Sequence, residues 1–106
     1  MAALRYAAQA LDDLDRLATF LARSDPAAAA ATLPLIVRGL SALEDHPLLG
    51  RPIAGGLREL VLSRGKTGYV ALYRYIEAID TAIVLAIRHQ REAGFFDENA
   101  PNVTSV

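Results

Sequence analysis

Side chains able to do chemistry gather at one place in this chain. Arg88-His89-Gln90-Arg91-Glu92 forms the abrupt charged exit of a run rich in β-branched and apolar residues. Histidine titrates near neutrality, and two arginines beside it supply fixed positive charge. Cutting a phosphodiester without a metal needs a base near the 2′-OH, an acid for the leaving oxygen and a cation on the phosphate. His89 suits the acid or base role, Arg88 and Arg91 the clamp, and Arg58 and Arg74 complete the set of candidate cations. The plainer alternative is a solvated strand end with one arginine paired to Glu59 or Glu92. Tyr69, Tyr73 and Tyr75 alternate along one segment and could stack bases, although such rows are also ordinary cross-strand packing.

Other chemistries find no support. With no cysteine there is neither a disulfide framework nor a thiolate site. His46 and His89 are too few and too distant to hold an ion, so no metal and no cofactor is expected. Ser63 and Asp80 lack the nucleophile elbow that a serine hydrolase would need. Gly65 and Gly68 flank a turn and do not form a phosphate-cradling loop.

The elements that position these groups follow from patterning. At 106 residues, 53% of them hydrophobic, the chain fits one domain with a real core. Residues 1–50 carry a net charge of −2, residues 51–91 a net of +4 and the remainder −3. The basic middle is modest, and a pI near 6.1 is low for a protein living on phosphate contacts. No apolar run approaches the ~18–20 residues of a membrane span, and MAALRYAAQALDD does not read as a signal peptide. A cytoplasmic protein without a membrane partner is expected.

Leu4-Arg5-Tyr6 suits a short opening strand. Over 7–23, Ala10, Leu14, Leu17 and Leu21 recur at helical spacing, with Asp12, Asp13 and Asp15 expected to favour the helix's positive end. Asp25 fits an N-cap and Pro26 the first position of a second helix over 26–45. Pro34 inside it predicts a kink or a later start. HPLLGRP and Gly55-Gly56 read as loop. Strands follow over 57–63, 69–77 and 81–89 with hairpin-length connections. The expected architecture is α+β: an N-terminal strand and a helical hairpin packed on an antiparallel sheet, in the order β-α-α-β-β-β. The folded domain should span 1–96, with a flexible tail over 97–106. Both faces of the middle strand are mostly apolar, so an exposed apolar patch is expected. The natural place is a groove between hairpin and sheet, lined by Leu14, Leu17 and Leu21, that takes a partner's helix or strand.

Three segments carry a resemblance: ALDDLDRLATFL in the first helix, HPLLGRPIAGGLREL entering the sheet, and GYVALYRY with IVLAIRHQREAGF at the end. Together they resemble the RelE/ParE superfamily of type II toxins, and within it the ParE-like, plasmid-stabilisation branch. The resemblance implies a toxin neutralised by a cognate antitoxin. RelE-like members cut messenger RNA on the ribosome and place an arginine after the aromatic residue that opens the middle strand. Val70 occupies that position here. ParE-like members lack that set and inhibit DNA gyrase. The implied function is therefore gyrase inhibition. The alternatives are a ribosome-dependent mRNA endonuclease and an inactive module kept for antitoxin binding.

Overall fold

The computed structural model describes residues 1–62 and 68–89. Ser63, Gly65, Lys66, Gln90, Arg91, Glu92 and the tail over 97–106 lie outside the described residues. The chain opens with strand β1 (Ala3–Tyr6), turns at Ala7 into helix α1 (Ala8–Ser24), and continues into helix α2 (Pro26–Ser41). Asp25 is the cap that the sequence predicts: its Oδ1 accepts the Ala28 N–H at 3.1 Å, and Pro26 stands at the start of α2. Because α2 starts there and continues past Pro34, the later start considered for it does not occur. Nor do the acids of α1 sit at its positive end. The helix begins at Ala8, so none of Asp12, Asp13 and Asp15 falls in the first turn.

After a short 3₁₀ turn at Ala42–Glu44 come β2 (Arg51–Ile53), β3 (Leu57–Val61), β4 (Tyr69–Ile76) and β5 (Thr81–His89). The five strands make one sheet in the order β1-β5-β4-β3-β2. Strands β2 to β5 form an antiparallel meander, but β1 joins β5 in parallel, with Ala3 opposite Thr81 and Tyr6 opposite Val84. The sheet is thus mixed where an antiparallel one was expected, and it has one more strand, β2. Three residues with a central proline show no alternation, and proline is tolerated on an edge strand. Gly55 and Gly56, both at positive φ (78° and 75°), make the turn from β2 to β3.

The helical hairpin covers one sheet face. Leu17, Ile36, Leu40 and Leu43 meet Tyr69, Ala71, Tyr73, Ala82, Val84 and Ile87 in one core. Burial of each large side chain contributes roughly 1.5–3 kcal/mol. The register shifts at Leu72/Tyr73, where Tyr73 faces Val84 but Leu72 faces Ala86. Leu85 is the extra residue of a bulge, which lets Val84 and Ile87, three apart, both point into the core. By length and apolar composition 26–44 would pass as a membrane span. Here Ile36, Leu40 and Leu43 are fully buried against the sheet.

Candidate functional site

The end of β5 is held by α1. Strand β1 pairs with β5 only as far as Tyr6 and Val84, and the Ala7 N–H then donates to the Val84 carbonyl at 2.9 Å. Beyond that point the Ile87 N–H donates to Asp13 Oδ2 at 2.9 Å. Asp13 Oδ1 lies 2.5 Å from Arg88 Nη1 and accepts Gln9 Nε2 at 2.9 Å, with Arg16 at 4.0 Å. Asp13 is 2% exposed. Burial alone would raise its pKa, but the bonds from Ile87, Arg88 and Gln9, together with the Arg88 charge, outweigh it and hold the carboxyl below its usual value.

Arg88 stands opposite Val70, and His89 opposite Tyr69. The two therefore occupy opposite faces, as strand alternation requires. The His89 ring meets Tyr69 edge-on, with centroids 5.2 Å apart. Arg88 and His89 are thus brought together with Tyr69 and Asp13, whereas Arg91 lies outside the described residues.

Arg58 and Arg74 sit elsewhere. Arg58 faces Tyr73, four β4 residues from Tyr69, or roughly 13 Å along the strand. Its Nη1 donates to the carbonyls of Gly50 and Leu48 at 2.7 and 3.2 Å. Arg74 Nη2 reaches the Gly55 carbonyl at 3.3 Å. Glu59 pairs with Arg51 at 2.6 Å.

The tyrosine row faces the core. The Tyr73 hydroxyl donates to the Pro47 carbonyl and accepts the Gly50 N–H, both at 2.8 Å. Burial pushes its phenol pKa up, against smaller opposing effects of the Gly50 N–H and Arg58. Tyr69 is raised by burial too. Gly50 is required at its place: a Cβ there would stand 2.6 Å from Tyr73 Cε1. Tyr75 donates to Asp80 Oδ1 at 2.6 Å, in the turn where Asp80 has φ 46°. These three rings are packing and scaffold, and Tyr73 locks the HPLLG loop to the sheet.

The stripe expected to receive a partner is largely spent inside the chain. Leu17 and Leu21 are buried, and Leu14 is half-buried against the core margin. Leu11, one turn before Leu14, is exposed. The residue that sequence reasoning missed is Asp13. The signal was present: Asp13 falls three residues after Ala10 and four before Leu17, on the buried stripe itself.

A helical hairpin on a mixed five-stranded sheet, with the first strand parallel to the last, defines an α+β fold shared with solved toxins. The chain is similar to a structure of the chromosomal ParDE toxin–antitoxin system from P. aeruginosa, with a TM-score of 0.70 and 25% identity, covering 84% of this chain and 96% of that one. It also matches the toxin–antitoxin complex RelBE2 from Mycobacterium tuberculosis, with a TM-score of 0.57 and 25% identity over 84% of this chain and 98% of that one. Among curated relatives, Toxin RelE3 of Caulobacter vibrioides is 34% identical over 92 residues, which cover 87% of this chain and 98% of the relative. Residues 4–94 match the ParE toxin of the type II toxin–antitoxin system parDE. The chain belongs to the ParE toxin family and is a type II toxin.

Proposed function

We propose that this toxin acts by binding and inhibiting DNA gyrase in the cytoplasm and is neutralised by a cognate antitoxin. The observation that carries the target is Val70. At the β4 position where the RNA-cleaving branch places an arginine, this chain has an aliphatic side chain only 3% exposed. Two residues further along the sheet support the same reading. Tyr73 has its hydroxyl bonded on both sides, Arg58 is engaged with loop carbonyls, and neither lies beside His89. Loss of one preorganised charge-stabilising group, such as an arginine at the Val70 position, commonly slows phosphodiester cleavage by ~10²–10³.

The basic end of β5, Arg88 and His89, is the surface proposed to act on the target; Arg91 follows in the sequence, outside the described residues. The antitoxin is expected on the outer side of α1, where Leu14 remains accessible beside exposed Leu11. The solved neighbours support such a partner, since they come from toxin–antitoxin systems.

A second reading, ribosome-dependent mRNA cleavage, is favoured by the names of two curated relatives, Toxin RelE3 and Toxin RelE1. Induction of the full chain in bacterial cells separates the readings. Gyrase inhibition stops replication and raises the DNA-damage response. Cleavage arrests translation and leaves cut transcripts. Harmless expression would instead mark an inactive antitoxin-binding module.

A further inference from the structure

Asp13 is the only carboxylate among the described residues to be buried, and what surrounds it is specific. One oxygen accepts a main-chain N–H of β5, and the other meets the guanidinium of the next residue along and a glutamine one turn back on α1. The main-chain bond lies three residues past the last β1–β5 pair, where β5 keeps β4 on one side and has lost β1 on the other. Main-chain donors in such a place need a partner, and a charged acceptor makes the shorter and stronger bond.

We infer that Asp13 is a positioning residue for toxicity: it stands in for the missing strand at the end of β5, holding the backbone from which Arg88 and His89 project to opposite faces, and it fixes the Arg88 guanidinium directly. The inference rests on the reading that the end of β5 meets the target. Asp13 itself touches no target. It works through the backbone at Ile87 and the guanidinium of Arg88. Displacements of about 1 Å at a functional group can cost ~10²-fold in activity, so a loosened anchor should register in toxicity while the domain is still folded.

The test uses the full chain under an inducible promoter, with growth inhibition read at a normal and a low growth temperature. Thermal unfolding and amide NMR spectra of the purified protein accompany it. Asp13→Asn keeps the size and an acceptor for Ile87 but loses the charge. It is expected to lower toxicity by about tenfold or more at both temperatures while remaining folded at each. The amide signals of Ile87, Arg88 and His89 should shift while those of β3 and β4 stay. Asp13→Glu, which keeps the charge, should regain part of the toxicity.

Full toxicity of Asp13→Asn, with Arg88→Ala or His89→Ala inactive, would overturn the role of Asp13 and leave the β5 reading standing. Full toxicity of both Arg88→Ala and His89→Ala would overturn the β5 reading itself. Toxicity that returns at low temperature, together with a large fall in melting temperature, would make Asp13 a fold residue only and overturn the inference. Should Asp13→Asn not fold, Gln9→Ala removes one donor from the same carboxylate. A smaller loss of toxicity in that variant supports the inference, and none overturns it.

Discussion

The Asp13 carboxylate of α1 and the Arg88 guanidinium of β5 stand 2.5 Å apart, and the same carboxylate accepts the Ile87 main-chain N–H at 2.9 Å. Helix and strand end are therefore one unit, joined by polar bonds at the point where the sheet loses its outer neighbour. Aliphatic packing alone would leave that strand end with an unpartnered N–H. The pair thus links the fold to the proposed acting surface.

Acid should dissolve this link in a defined window. The folded Asp13 carboxyl titrates below its ordinary value, so its contribution is fully present above the unfolded pKa of about 3.9 and is lost as pH falls through the lower folded value. Asp13→Asn should be less stable near neutrality by about 1–3 kcal/mol, the cost of depriving buried groups of a charged partner. That deficit should shrink as pH drops below about 4. Melting curves of both proteins between about pH 3 and pH 7 check the sign: a deficit that grows with acid would contradict it.

Tyr73 and Gly50 form a second polar joint. Tyr73→Phe leaves the Gly50 N–H without its partner and frees the Pro47 carbonyl, at an expected cost of about 1–3 kcal/mol. Gly50→Ala drives a methyl against the Tyr73 ring, and overpacking of this kind also costs about 1–3 kcal/mol. In urea unfolding each single variant should lose stability. The double variant should lose less than the sum of the two, since Tyr73 is common to both.

How far the molecule was legible in its sequence shows best in particular residues. Asp25 and Pro26 announced the start of α2, because capping is local chemistry. Strand β5 was read at its full extent, because a β-branched run ends sharply at charged residues. Strand β2 was missed: Arg51-Pro52-Ile53 pairs through tertiary context and shows no period. The parallel place of β1 and the bulge at Leu85 depend on contacts between distant segments, which no local pattern carries. At the candidate site, Arg88 and His89 were visible as types and spacing. Their anchor was overlooked because Asp13 was assigned to helix-end electrostatics while lying on the apolar stripe. The tyrosine row proved to be packing, the plainer of its two readings.

Leucines on α1 should divide by depth. Leu17→Ala opens a cavity in the core and should cost about 2–5 kcal/mol. Leu11, exposed and off the core, should tolerate alanine within about 0.5 kcal/mol. If the antitoxin docks on the outer side of α1, Leu11→Ala combined with Leu14→Ala should weaken its binding in titration calorimetry, with at most a moderate loss of melting temperature. Unchanged affinity would move the antitoxin surface elsewhere.

The most direct measurement is gyrase-catalysed supercoiling of relaxed plasmid in the presence of the purified full chain, run beside a ribosome-programmed mRNA cleavage assay. The proposed function predicts that supercoiling falls with toxin concentration, recovers on adding the antitoxin, and is accompanied by no more than residual transcript cutting. Unaffected gyrase, together with robust mRNA cleavage abolished by His89→Ala, would contradict it and make the endonuclease the function.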